Sequence, residues 1–359
     1  MRTMRLTLSL LFLLFFGESA QAQRWQVQTS GIDTNLRGVS VVYKLNVKYA
    51  RTAVVWVSGS KGVILKSLDE GKTWQRLHVE GGEALDFRGI VAFSEKTAYL
   101  MSSGEGEKSR IYKTADGGET WKLQHTDNRK EFFLDTIACA SETRCFALGD
   151  PIDGKFLLLT TTDGEHWNLL PGDERPAALP GEGSFAASNS CLALFNNGQI
   201  YFVTGGPAAR FFHSPDGGHT WTVAETPIGH GNASSGIFSI ASRDGKAVTI
   251  VGGDYQDPKR ASAVAAYSFD GGKTWQLSTQ QPGGFRSAVA SLDERTFVIV
   301  GPNGEEFSDD GGAHWKQTDA LNLNALTMLD RQHSWAVGPK GTIARFVDHA
   351  IHRRDAPSH

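Results

Sequence analysis

The chain has 359 residues, a formal charge of −3, 40% hydrophobic residues, 40 glycines and nine tryptophans. A balance this close to neutral excludes the global basic field expected of a nucleic-acid or anionic-membrane binder. The length fits two ordinary domains or one large all-β domain, and the abundance of glycine and tryptophan favours a turn-rich repeat.

Arg2 and Arg5 precede an apolar run from Leu6 to Phe16, and Ala20-Gln21-Ala22 supplies a small-x-small cleavage pattern. Residues 1–22 read as a secretory signal peptide, too short and wrongly flanked for a membrane span. No cysteine comes next, so no lipid anchor is indicated, and the mature chain is expected to begin at Gln23. Removing Arg2, Arg5 and Glu18 takes the charge from −3 to −4. The expected location is periplasmic or extracellular, with no transmembrane span in the mature chain.

Six near-copies of one motif organise the rest of the chain: SLDEGKTW (67–74), TADGGETW (114–121), the shorter TTDGEHW (161–167), SPDGGHTW (214–221), SFDGGKTW (268–275) and SDDGGAHW (308–315). Their aspartates are Asp69, Asp116, Asp163, Asp216, Asp270 and Asp310, separated by 47, 47, 53, 54 and 40 residues. That period, with short β-rich runs between turn signals, predicts four-stranded propeller blades. Blade two shows the unit: 87–93 innermost, then 97–103, 109–115, and 120–124 outermost. Each motif falls at the turn between strands three and four. The aspartate can accept N–H groups of its own turn, and the glycines permit positive φ. The tryptophans Trp74, Trp121, Trp167, Trp221, Trp275 and Trp315 begin the outer strands and bury surface between blades. Six carboxylates spread around a perimeter do not converge as an active site must, so the motif is read as a structural joint.

In blade three, Cys139 and Cys145 flank SETR and are expected to form a disulfide across a hairpin. Cys191 is left as a buried thiol. No spacing fits a metal site, and no cofactor is indicated. At the far end, 333–346 matches strands two and three of blade one (53–67), aligning Trp335 with Trp56. It lacks an outer strand, which RWQVQ (24–28) supplies through Trp25. The expected architecture is a single all-β domain over 23–350, a seven-bladed β-propeller closed by its N-terminal strand, with a tail at 351–359.

The motif resembles the Asp-box, or bacterial neuraminidase repeat, of sialidases, sortilin-type receptors and some xyloglucanases. Over about residues 24–348 the chain resembles the photosystem II stability and assembly factor family more closely. GDPIDGKF (149–156), LPGEGSFAAS (179–188), SSGIFSI (234–240) and VGGDYQDP (251–258) look like its non-photosynthetic subgroup, some members of which carry an oxidoreductase label. The resemblance implies an exported propeller with structural Asp-boxes that binds a membrane-protein assembly intermediate.

Long departures from the repeat at 149–155, 171–184, 225–236 and 254–261 all fall on the face away from the boxes, where binding is expected. Arg37, Arg88 and Arg286 are read as equivalent positions at that mouth, with Asn324 in blade seven, Leu134 in blade three and Ile237 in blade five. Three guanidinium groups suit a carboxylate or phosphate. The competing expectation pairs each with a loop carboxylate. Asp150, Asp153, Glu182, Asp254 and Asp257 are candidate ligand or catalytic groups, although their sequence contexts are also those of turns. His230 is the histidine best placed at the mouth.

The function these features support is a non-catalytic scaffold, expected as a monomer, that recognises a cell-envelope protein or peptide through an anionic group. The alternative is a glycan-active enzyme or lectin on the same face, without the sialidase Phe-Arg-Ile-Pro motif. Hydride transfer fits less well, because no G-x-G-x-x-G strand-to-helix loop is present.

Overall fold

Runs rich in Val, Ile, Phe, Tyr and Thr, punctuated by Gly, Asp and Ser, pair here as antiparallel meanders. The computed structural model describes residues 25–45 and 51–347. The leader read over 1–22, the Gln23 start, Arg24 and the tail at 351–359 lie outside the described residues.

The strands form seven sheets, each a four-stranded blade, and Gly205–Gly206 adds a short fifth strand to blade five. Blade two runs Phe87–Ala92, Ala98–Ser102, Arg110–Thr114 and Lys122–Thr126. Its outer strand starts later than the sequence pattern predicts. Trp121 turns inward onto blade one, edge-to-face with Trp56 at 6.3 Å, so the ladder begins after it. The same holds in the other five boxes, where each strand starts one residue past the tryptophan.

The core lies between blades. Val54, Trp56 and Ile64 of blade one pack with Phe87, Ile90 and Leu100 of blade two, and comparable clusters recur around the ring. The ring closes as the repeat predicts: Trp25–Gln28 pairs antiparallel with Ile343–Phe346, Trp25 opposite Phe346. Gln28 secures the seam, accepting the Trp335 indole N–H at 3.0 Å and donating to Glu70 O at 3.0 Å. Cys139 and Cys145 stand opposite one another in register and are disulfide-bonded, while Cys191 is free and buried.

Each box is a closed hydrogen-bond unit. In the first, Asp69 Oδ1 accepts the Thr73 N–H at 2.9 Å and Oδ2 accepts the Thr73 hydroxyl at 2.7 Å. Ser67, two residues earlier, donates to Asp69 at 2.8 Å and accepts the Gly71 N–H at 2.7 Å. A Ser or Thr fills that place in every box. The second glycine is needed twice over in blade five: Gly272 has φ +83°, and a Cβ there would lie 2.3 Å from the Phe211 ring of the preceding blade.

These bonds hold the carboxylates in their ionised form. The Thr220 and Thr274 hydroxyls, with backbone N–H groups, push Asp216 and Asp270 down to about 2. A depressed carboxylate contributes stability above its unfolded value near 4, and that contribution is lost as pH falls toward 2. Urea unfolding across that interval is expected to show falling stability, with a shallower pH slope in Asp270→Asn. An unchanged slope would remove the box from the acid response.

Candidate functional site

β-bulges in the innermost strands of blades one, two, three and five each insert one residue where the strand meets the mouth opposite the boxes. The inserted residues are Arg37, Arg88, Asp135 and Phe238. The residue before each bulge is a fully buried core position: Leu36, Phe87, Leu134 and Ile237. Three of these also lie against a glycine of strand two. A Cβ on Gly59 would come 3.1 Å from Leu36 Cα, on Gly252 2.9 Å from Ile237 Cα, and on Gly149 2.1 Å from Phe133 O, just ahead of Leu134. The same register places Asn324 at the mouth in blade seven, after Leu323.

This register corrects three sequence assignments by one residue. In blade three the mouth position is Asp135, not Leu134, and in blade five it is Phe238, not Ile237. In blade six a Cβ on Gly301 would come 3.2 Å from Arg286 Cα, so Arg286 occupies the core position and Ser287 the mouth. Arg286 is accordingly 0% exposed. Its guanidinium is paired with Glu306 at 2.8 Å and donates to Phe285 O at 2.9 Å. It does not join Arg37 and Arg88. A sequence signal for this existed: Phe87, Leu134, Ile237 and Leu323 each precede a Gly or Ser by fifteen residues, and so does Arg286 rather than Phe285.

Arg37 and Arg88 stand on adjacent blades and differ in their engagement. Arg88 Nε donates to Asp86 at 2.7 Å and its Nη1 to Ala186 O at 3.0 Å. Arg37 has a buried Nε with no hydrogen-bond partner, and it makes no ion pair among the described residues. Burial, with the Arg88 charge next in weight, pulls the Arg37 guanidinium below its ordinary value. Asn324 donates to Asn35 at 2.6 Å and to Leu36 O at 2.8 Å, tying blade seven to blade one.

The floor of the mouth is the crossing from blade three to blade four. Its stretch Ala186–Ser190 reaches blade two through Arg88 and blade three through Asn189, which accepts the Ile137 N–H at 2.8 Å. Ser188 donates to Ser287 O of blade six at 2.8 Å, and Ser190 meets Ser239 of blade five at 2.6 Å. The segment therefore spans the central channel. On the box side of it lies a cavity of about 720 Å³, lined by the innermost-strand ends of blades three to seven. An aromatic group flanks the floor, with Phe185 stacked on Phe238 at 3.7 Å and Phe285 edge-on at 4.7 Å.

The loop carboxylates do not converge. Glu182 is buried and ion-paired with Arg210, and it also accepts the Thr204 hydroxyl at 2.6 Å. Asp254 accepts Ser234 Oγ at 2.6 Å, Gln256 N at 2.9 Å and Asn232 Nδ2 at 3.1 Å, organising its own turn. Asp153 sits at a turn tip with φ +54°, and Asp153 and Asp257 are exposed. His230 is exposed, its Nδ1 2.8 Å from Ile228 O. Asp150 acts on Asp135, which in turn interacts with Arg88.

Comparison with known proteins agrees with the fold. The BNR/Asp-box repeat family matches residues 266–277. No curated protein sequence matches the chain. The structure of YCF48 bound to D1 peptide is 14% identical with a TM-score of 0.63, covering 90% of this chain and 97% of that one. YCF48 from Cyanidioschyzon merolae is 16% identical with a TM-score of 0.63, covering 90% of this chain and 99% of that one. The GH74 enzyme of Niastella koreensis is 14% identical with a TM-score of 0.54, covering 86% of this chain and 51% of the enzyme. At these identities the likeness is one of fold.

Proposed function

We propose that this chain is an exported binding scaffold that takes an anionic group of a protein or peptide at the mouth opposite the Asp-boxes. The observation that carries this reading is the Arg37–Arg88 pair, in which Arg37 makes no ion pair among the described residues and the carboxylate charge that acts on it, Asp86, is bonded to Arg88. A half-buried guanidinium left unpaired is costly unless something completes it, and a carboxylate does so with charge-assisted hydrogen bonds. The fold-level likeness to a propeller solved with a peptide supports a peptide partner. The disulfide supports export, because such bonds persist in oxidising compartments. The glycan-active alternative needs two loop carboxylates to face one cleft, whereas Glu182 and Asp254 are already committed to internal partners.

The test is fluorescence anisotropy with labelled peptides bearing Asp or Glu, against their Asn or Gln counterparts. Wild type is expected to prefer the acidic series. Arg37→Ala with Arg88→Ala should weaken that binding about tenfold or more, the scale of one lost charge-assisted contact. Equal affinity for both series, or no effect of the double variant, would refute the reading.

A further inference from the structure

Next to Arg88 in the mouth ring stands Asp135, a charged residue type in an unusual setting. It is 1% exposed, and its Oδ2 has no hydrogen-bond partner. On the adjacent strand, Asp150 comes after Gly149, the partner of Leu134, and donates its own N–H to Phe133 O at 3.1 Å. The two carboxyls are therefore diagonal neighbours across the blade-three ladder. The channel-spanning crossing touches both halves of the site. A Cβ on Gly183 would lie 2.7 Å from Asp150 Oδ1, and three residues later Ala186 O accepts from Arg88.

Asp150 accepts the Ser184 N–H, but Asp135 keeps an oxygen with no donor and little water, so ionising both of these interacting carboxyls carries a large cost. We propose that the Asp135–Asp150 pair holds a proton that sets the anion affinity of Arg37 and Arg88: protonation strengthens binding, and a bound anion draws the proton on. The inference rests on the anion-binding reading of the mouth.

The surrounding charges leave this proton as the variable. Asp86 is bound to Arg88 and accepts the Ser60 hydroxyl at 2.7 Å. Glu182 is neutralised by Arg210. The Cys191 thiol is pushed up by burial and by Asp135, and so carries no charge at neutral pH. Burial, then the Asp150 charge, raises the Asp135 carboxyl well above the ordinary range, with Arg88 opposing. Burial pushes Asp150 up to about 6. As pH rises through that value the pair gains negative charge beside Arg88, so anion affinity falls. By linkage, an anion bound at the arginines raises the pair's proton affinity by the same factor.

Sulfate serves as the probe, because its charge is constant across the window. Calorimetric titration of wild type is expected to show affinity about fivefold or more tighter at pH ~5.5 than at pH ~8, the lower end of ordinary site–site coupling. Asp150→Asn, nearly isosteric, should flatten that profile and bind at the higher pH as wild type does at the lower. Carbon-13 NMR of the aspartate carboxyls tracks the proton directly, and its midpoint should move up when sulfate is added. A flat wild-type profile with sulfate still bound, or an equal slope in Asp150→Asn, overturns the coupling alone. Absence of sulfate binding at every pH, in a protein that still folds, overturns the mouth reading and the coupling with it.

Discussion

Arg286→Ala is expected to destabilise the protein by about 3–5 kcal/mol, the cost of stripping one partner from a buried ion pair. The residue is 0% exposed, and Glu306, its partner at 2.8 Å, is 4% exposed. Removing the guanidinium leaves the Glu306 carboxylate with the Gly283 N–H, at 2.8 Å, as its remaining close donor among these contacts. Urea denaturation reads the loss as a fall in midpoint. Replacing both partners, Arg286→Met with Glu306→Leu, should recover most of it, because a well-packed apolar pair avoids the desolvation that the ion pair incurs. Arg37→Ala, which removes a half-buried guanidinium that has no ion pair among the described residues, should destabilise far less than Arg286→Ala. Similar losses at Arg37 and Arg286 would mean that the register drawn for blade six is wrong.

Trp25→Ala carries the second large effect, again about 3–5 kcal/mol, the range for emptying an aromatic core site. Trp25 is 1% exposed and meets Phe346 edge-to-face at 5.2 Å. It packs with Val298 and Val300 of blade six and Ala336 of blade seven, so one side chain bridges the last two blades and the start of the chain. A propeller has no covalent closure here, and this strand is what covers the outer edge of blade seven. The same measurement on Val27→Ala provides the contrast. Val27 lies two residues along the same strand at 53% exposure, and a change of less than about 0.5 kcal/mol is expected. Equal, small effects at both positions would show that the N-terminal strand does not hold the ring.

The ring and its closure were readable in the sequence because each depends on local, repeated chemistry. A Ser or Thr, an Asp, one or two glycines and a Trp specify a turn and its packing within eight residues, and six copies set the period. The cysteines were readable because they flank a short hairpin turn, although an extra residue at Ala140 is what sets Cys139 opposite Cys145. The mouth was only half readable. Leu-Arg-Gly, Phe-Arg-Gly and Phe-Arg-Ser look alike, yet a bulge in the first two and a one-residue offset in the third send the arginines to opposite environments. Burial of Arg286 depends on Glu306, twenty residues on, and burial of Glu182 on Arg210, twenty-eight residues on. No local pattern announces such pairings. Asp135 escaped notice because it sits inside an apolar strand, where its significance comes from Asp150 on the next strand and Arg88 on the neighbouring blade.

The central claim is that Arg37 meets an anionic group of the partner, and a double-mutant cycle tests it most directly. Affinity is measured for wild type and Arg37→Ala, each against the best acidic peptide and its Glu→Gln or Asp→Asn counterpart. The account predicts a coupling of about 1.5–3 kcal/mol between the two changes, the worth of a hydrogen bond to a charged group. Additive effects, with coupling inside about 0.5 kcal/mol, would contradict it, since residues that do not touch behave in that way.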